Sequence, residues 1–103
     1  MDSDGYPEKR ELTKITKWPI QGRQDCIALL DYVKERWKYA DCGFWRRSRR
    51  RYRIATGGWS GNESIIDALS ENVVFWMICW RLSQRGGLYI FELPRARKRK
   101  KDK

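Results

Sequence analysis

The 103-residue chain contains no histidine. That removes the commonest general base, the imidazole partner of Ser and Cys nucleophiles, and the commonest metal ligand. Cysteine is scarce as well: Cys26, Cys42 and Cys79 are odd in number and widely spaced, with no C-x-x-C pair. Neither a disulfide framework nor a zinc site follows from such spacing, and Cys26 and Cys79 read as free buried thiols. Long apolar runs are also missing. Residues 73–80 are the longest, eight residues closed by Arg81, where a membrane span needs about twenty. The opening stretch MDSDGYPEKRELTK has no apolar segment of the secretory kind, so a reducing cytoplasm is the expected location. Together these absences predict a protein that is not an enzyme, holds no metal or cofactor and does not enter a membrane.

What is present is aromatic weight and positive charge. Hydrophobic residues make up 41% and aromatics 14%, with six Trp, so a core is expected even though 35% of the chain is charged. Its length allows one domain. Most of the apolar runs fall in residues 57–93, GGWSGNESIIDALSENVVFWMICWRLSQRGGLYIFEL. Ser60 followed by Glu63, with Ile65, Ile66 and Leu69 behind them, matches a capping box and predicts a helix over 60–71 ended by Asn72. Residues 73–82 are rich in β-branched and aromatic side chains and predict a strand. Residues 88–93 pair with it as a hairpin across Gly86-Gly87. Ile66, Leu69, Val73, Trp76, Met77 and Trp80 also recur at helical spacing, so one helix over 60–83 is the competing solution. The sequence GWSG lacks the second glycine of a nucleophile elbow, and capping accounts for Ser60.

Earlier in the chain, residues 1–17 are polar and read as a flexible lead-in, with Trp18-Pro19-Ile20 as the first apolar anchor. Cys26, Leu29, Leu30, Val33 and Trp37 predict an amphipathic helix of about sixteen residues, stopped near Gly43. Tyr52, Ile54 and Thr56 alternate with Arg51, Arg53 and Ala55, a strand with one cationic side. The expected fold is α+β: two short helices on a small antiparallel sheet, in the order α-β-α-β-β. Residues 18–94 form the single domain, and 95–103 form a basic disordered tail.

The segments GGWSGNESIIDAL, FWMICW and SQRGGLYIFEL resemble small uncharacterised proteins encoded by bacteriophages and prophages. The likeness covers residues 56–93 and implies a bacterial host cytoplasm, but carries no activity with it.

Function is read from where the charge sits. The chain is +10 overall, whereas residues 46–53 and 95–103 together carry +12, leaving the body close to neutral. The candidate nucleic-acid-binding residues are Arg46, Arg47, Arg49, Arg50, Arg51 and Arg53, together with Arg95, Arg97, Lys98, Arg99, Lys100 and Lys101 of the tail. Guanidinium groups grip phosphates, and Trp45 and Tyr52 are the expected stacking faces for bases. Binding of DNA or RNA is thus the leading expectation. The alternative is an accessory protein that docks on a host or virion protein through a Trp-rich surface.

Overall fold

The structure, a computed structural model, describes residues 7–38 and 40–94. The elements run α1 (Lys9–Thr16), α2 (Arg23–Arg36), a 3-10 turn (Ala40–Cys42), β1 (Trp45–Ser48), β2 (Arg51–Ala55), α3 (Ser60–Glu71), α4 (Val73–Cys79), β3 (Trp80–Gln84) and β4 (Leu88–Glu92). The strands form one antiparallel sheet in the order β1-β2-β4-β3. The protein is α+β, as its sequence pattern predicts, with two more helices and one more strand than expected.

Side chains alternate across a strand, so register decides what each face carries. Trp45 lies opposite Ile54, and Tyr52 opposite Phe91. All four are buried, in one cluster with Leu29, Leu30 and Val33 of α2, Ile65 and Leu69 of α3, and Phe75 of α4. The helices thus pack on this side, and among the described residues nothing covers the opposite side of the sheet. Trp37, just past α2, donates its indole N–H to the Ala55 carbonyl at 2.9 Å and packs edge-on against Trp45. That contact ties α2 to the β1–β2 hairpin.

Residues 73–79 are helical, which corrects the predicted strand. They do not continue α3 either, because Asn72 (φ −81°, ψ 87°) breaks the helix. Its backbone N–H still closes α3 on Ala68 and Leu69, while its side-chain oxygen accepts from Phe75 N at 3.3 Å and starts α4. The same amide donates to the carbonyls of Ile15 and Trp18, both at 3.0 Å. Once restarted, the helix sets Phe75 and Cys79, one turn apart, into the core. A cap and two buried side chains outweigh the β propensity of Val73, Val74 and Ile78. Chain direction then changes at Trp80, and the hairpin across Gly86-Gly87 forms as expected. Gly87 has φ +85°, and a side chain there would run into the Thr56 hydroxyl.

Residues 9–16 are a helix, not part of a flexible lead-in. Ile15 is fully buried, and Thr16 donates to the Ala68 carbonyl at 3.2 Å. Glu11 accepts from Glu8 N at 2.8 Å and from Arg36 Nε at 2.8 Å. Burial opposes its ionisation, yet hydrogen bonds, those from Glu8 and Arg36 among them, hold the carboxyl below its ordinary range. Arg36 in turn stacks 3.6 Å over the Tyr32 ring. Helix α2 ends at Arg36, earlier than predicted, and Gly43 (φ +92°) turns the chain only after the 3-10 segment. The cap of α3 is Trp59 and Ser60 is its first helical residue, so the predicted Ser60–Glu63 capping box is replaced. Cys26 and Cys79 are free and buried, and contact with Cys26 together with burial pushes the Cys79 thiol up. Residues 95–103 lie outside the described residues, as does Tyr39.

Replacing Asn72 tests the junction. Asn72→Ala removes a cap and leaves two carbonyls without their donor, a loss of about 2–4 kcal/mol, measurable by urea unfolding. Asn72→Asp is more discriminating. Aspartate caps as well as asparagine does, but it has no proton to give Ile15 and Trp18, so it should be no more stable than the alanine variant. An aspartate variant as stable as the parent protein would remove the bonds to α1 from the explanation.

Candidate functional site

The open face of the sheet is laid out in rows set by the strand register. In the middle row Arg46 stands opposite Arg53, Arg53 opposite Ile90, and Ile90 opposite Leu82. On one side of it the row is Ser48, Arg51 and Glu92; on the other it is Ala55, Leu88 and Gln84. The β1 and β2 half of the face is therefore cationic, and the β4 and β3 half is largely aliphatic. Between them lies a groove of about 660 Å³, with Arg46, Arg51 and Arg53 on its rim and Leu82, Leu88 and Ile90 among its lining. A neighbouring hollow of about 420 Å³ shares Arg46, Arg53 and Leu88 and extends to Gly43 and Phe44.

The electrostatics of the two ends differ. Glu92 accepts from Arg81 Nε at 2.9 Å and lies 3.5 Å from Arg51 Nη2 and 3.9 Å from Arg50 Nη2. The Arg81 hydrogen bond, helped by the charges of Arg50 and Arg51, holds its carboxyl below the usual value. Arg46 and Arg53 are exposed, and neither makes an ion pair or a side-chain hydrogen bond with the described residues. Like charges directly opposite each other in a sheet are destabilising, so this pair costs stability while no anion lies between its members.

The six predicted arginines are thus divided. Arg46, Arg51 and Arg53 face the groove. Arg47 reaches across the hairpin turn, its Nε donating to the Arg49 carbonyl at 2.9 Å and its guanidinium lying 5.0 Å from the Tyr52 ring centre. Arg49 occupies the turn itself with φ +57°. Arg50 donates to the Leu93 carbonyl at 3.0 Å and so fastens the chain after β4. The placement of Asn62 steadies this hairpin from behind. Its side chain accepts from Lys38 N at 2.9 Å and donates to the carbonyls of Lys38 and Thr56, pinning the end of β2 to the chain after α2.

Trp45 and Tyr52 are not stacking faces. They point to the helix side, 8% and 1% exposed, and meet edge-to-face with centroids 6.1 Å apart. Burial pushes the Tyr52 phenol up. The tail candidates Arg95, Arg97, Lys98, Arg99, Lys100 and Lys101 lie outside the described residues. The sequence pattern missed Leu82, Leu88 and Ile90, although Leu88 and Ile90 alternate with the core-facing Phe91; that period-2 signal was hidden inside an all-apolar run.

A second exposed surface lies on α4. Val73, Val74, Met77 and Ile78 are uncovered, Met77 to 78%, and Trp80, just past the end of the helix, is exposed as well. Trp37 and Trp45 are buried, whereas Trp76 and Trp80 stack on each other with centroids 5.9 Å apart at the edge of this surface. Among the described residues no helix is long and apolar enough to cross a membrane, and no group of three His, Cys, Asp or Glu is gathered as a metal site requires.

Glu92→Gln should release Arg51 and Arg81 toward the groove and raise its positive field. The variant is expected to leave heparin at higher salt than the parent protein, with a small loss of thermal stability. Acidification acts in the same direction. Because the folded carboxyl titrates below its unfolded value, its contribution to stability is complete above the unfolded value and is lost as pH falls through the folded one. Earlier elution of the variant would show that Glu92 does not restrain these arginines.

Comparisons with protein-family models, with curated proteins and with solved structures give no match.

Proposed function

We propose that the protein binds nucleic acid, without catalysing a reaction on it, through the open face of its sheet. The observation that carries this is the Arg46–Arg53 pair, two arginines on directly opposed strand positions that both line the groove and have no ion pair among the described residues. A phosphate between them accepts charge-assisted hydrogen bonds from both and converts a repulsive pair into a clamp. Arg51 extends the cationic rim by one row. The basic residues of 95–103 would add interactions independent of sequence, drawing the polymer in at a distance and raising the association rate.

The α4 surface favours a second function, docking on a host or virion protein. Val73, Val74, Met77 and Ile78 form an apolar helix face of the kind that marks protein interfaces. Salt separates the two: phosphate binding weakens steeply as salt rises, whereas an apolar interface is far less sensitive.

Fluorescence anisotropy with labelled oligonucleotides tests the leading function. Affinity should fall linearly against salt in logarithmic coordinates. Arg46→Gln combined with Arg53→Gln should flatten that slope by about two units, one for each guanidinium that no longer meets a phosphate. Deleting 95–103 should weaken binding evenly across sequences while leaving thermal unfolding unchanged. If the intact protein binds no DNA or RNA at low salt and micromolar concentration, nucleic acid is not its ligand.

A further inference from the structure

Building on the nucleic-acid function proposed above, we infer that the groove takes a single strand and not a duplex, with phosphates on Arg46 and Arg53 and bases laid flat on Leu82, Leu88 and Ile90. Three features of the open face lead there.

The first is its one-sided charge. A duplex presents two phosphate backbones, so a sheet that enters its major groove, about 12 Å wide, needs cations along both flanks. Here the cations that line the groove all lie on the β1 and β2 side. The β3 side presents Leu82 and Gln84 to it; Arg81 is held by Glu92, and Arg85 stands in the turn past the end of the strand, outside the groove lining. A second phosphate backbone would lie against aliphatic side chains, losing hydration without gaining a partner.

The second is the make-up of the middle row. Arg46, Arg53, Ile90 and Leu82 follow one another straight across four strands, two cations and then two aliphatic groups. Neighbouring strands lie about 4.8 Å apart, so the apolar half begins one strand spacing from the nearer guanidinium. That is the order met along one nucleotide, from phosphate across the sugar to the base. The apolar part of a duplex is the face of each base, and stacking hides it; only an unpaired strand can offer it to Ile90 and Leu82.

The third is row spacing. Two residues along a strand rise about 6.8 Å, twice the 3.4 Å separation of stacked bases. Bases on the Ile90 row and on the Leu88 row must therefore be unstacked from each other, as in an extended single strand. On the Leu88 row the Gln84 amide, with both donor and acceptor, is placed to meet a base edge.

The test compares a single-stranded oligonucleotide of about 12 nucleotides, a size suited to such sites, with the duplex of the same sequence at equal salt. The single strand should bind at least about tenfold tighter, the scale of burying the apolar face of one base against aliphatic side chains. The double variant Leu82→Thr/Ile90→Thr keeps β-forming side chains but strips the apolar surface. It should lower single-strand affinity about tenfold while leaving duplex affinity and the salt slope unchanged. Arg46→Gln/Arg53→Gln should weaken both ligands and flatten the slope. Should the threonine variant fail to fold, methyl NMR of the intact wild-type chain decides: the Leu82, Leu88 and Ile90 methyl signals should shift with single strand and stay in place with duplex. Equal affinity for the two ligands, or methyl shifts with both, overturns the single-strand inference while nucleic-acid binding stands. Binding to neither removes the proposed function itself, and binding to anionic vesicles alone would assign the face to a lipid surface instead.

Discussion

Asn72 stands where three helix ends meet, and the arrangement of the helical layer depends on its single side chain. Its amide donates to the last turn of α1 and to Trp18, its oxygen opens α4, and its backbone closes α3. A helix ends with unpaired carbonyls and begins with unpaired amides, and one buried asparagine here serves both needs. The change of direction at this residue brings Phe75 to within 5.4 Å of the Phe91 ring and Cys79 against Cys26. Were α3 to run on without a break, those groups would not reach β4 and α2, and the sheet would have no lid.

From that junction the sheet acquires two faces with different duties. The helix side carries the adhesion: Trp37, Trp45 and Tyr52 interlock edge-on, an arrangement that contributes beyond simple area burial. Because Trp45 and Tyr52 point toward the helices, the residues that follow them along their strands, the opposed arginines Arg46 and Arg53, must face the other way. A sheet held strongly on one face can tolerate a repulsive pair on the other. The Arg46–Arg53 pair is thus carried on strands whose other face is packed into the buried core.

How much of this could be read from the sequence follows from the range of each interaction. The core stripe of α2, the arginine-bearing side of β2 and the hairpin at Gly86-Gly87 are local patterns, and all are present in the structure. Helix α4 was legible only as part of the competing helix over 60–83; the break that separates it from α3 was not, because its cause lies in a side chain whose partners Ile15 and Trp18 are more than fifty residues away. Helix α1 was missed for a related reason: Leu12 and Ile15 are a thin apolar signal among charges, and only the docking of Ile15 and the Glu11–Arg36 ion pair fix it. The candidate site was half legible. Its arginines were visible as a cluster, but which of them face solvent, and that Trp45 and Tyr52 do not, depends on a turn at Arg49 that splits the segment into two strands. The aliphatic half of the groove came from β3 and β4, whose alternation is masked when both faces are apolar.

The gathering of three arginines on Glu92 has a consequence for the groove as a whole. With Arg50, Arg51 and Arg81 all directed at one carboxylate, the row at that end is partly self-compensated, while the Arg46–Arg53 row beside it is bare. The face therefore carries its positive charge in two forms, guanidinium groups held in place by a carboxylate at one end and guanidinium groups without an ion pair among the described residues at the other. A long polyanion lowered onto such a surface would meet donors already engaged in one row and donors still available in the next. The sense in which a chain of phosphates lay there would in that way depend on a carboxylate that is not itself a partner for it.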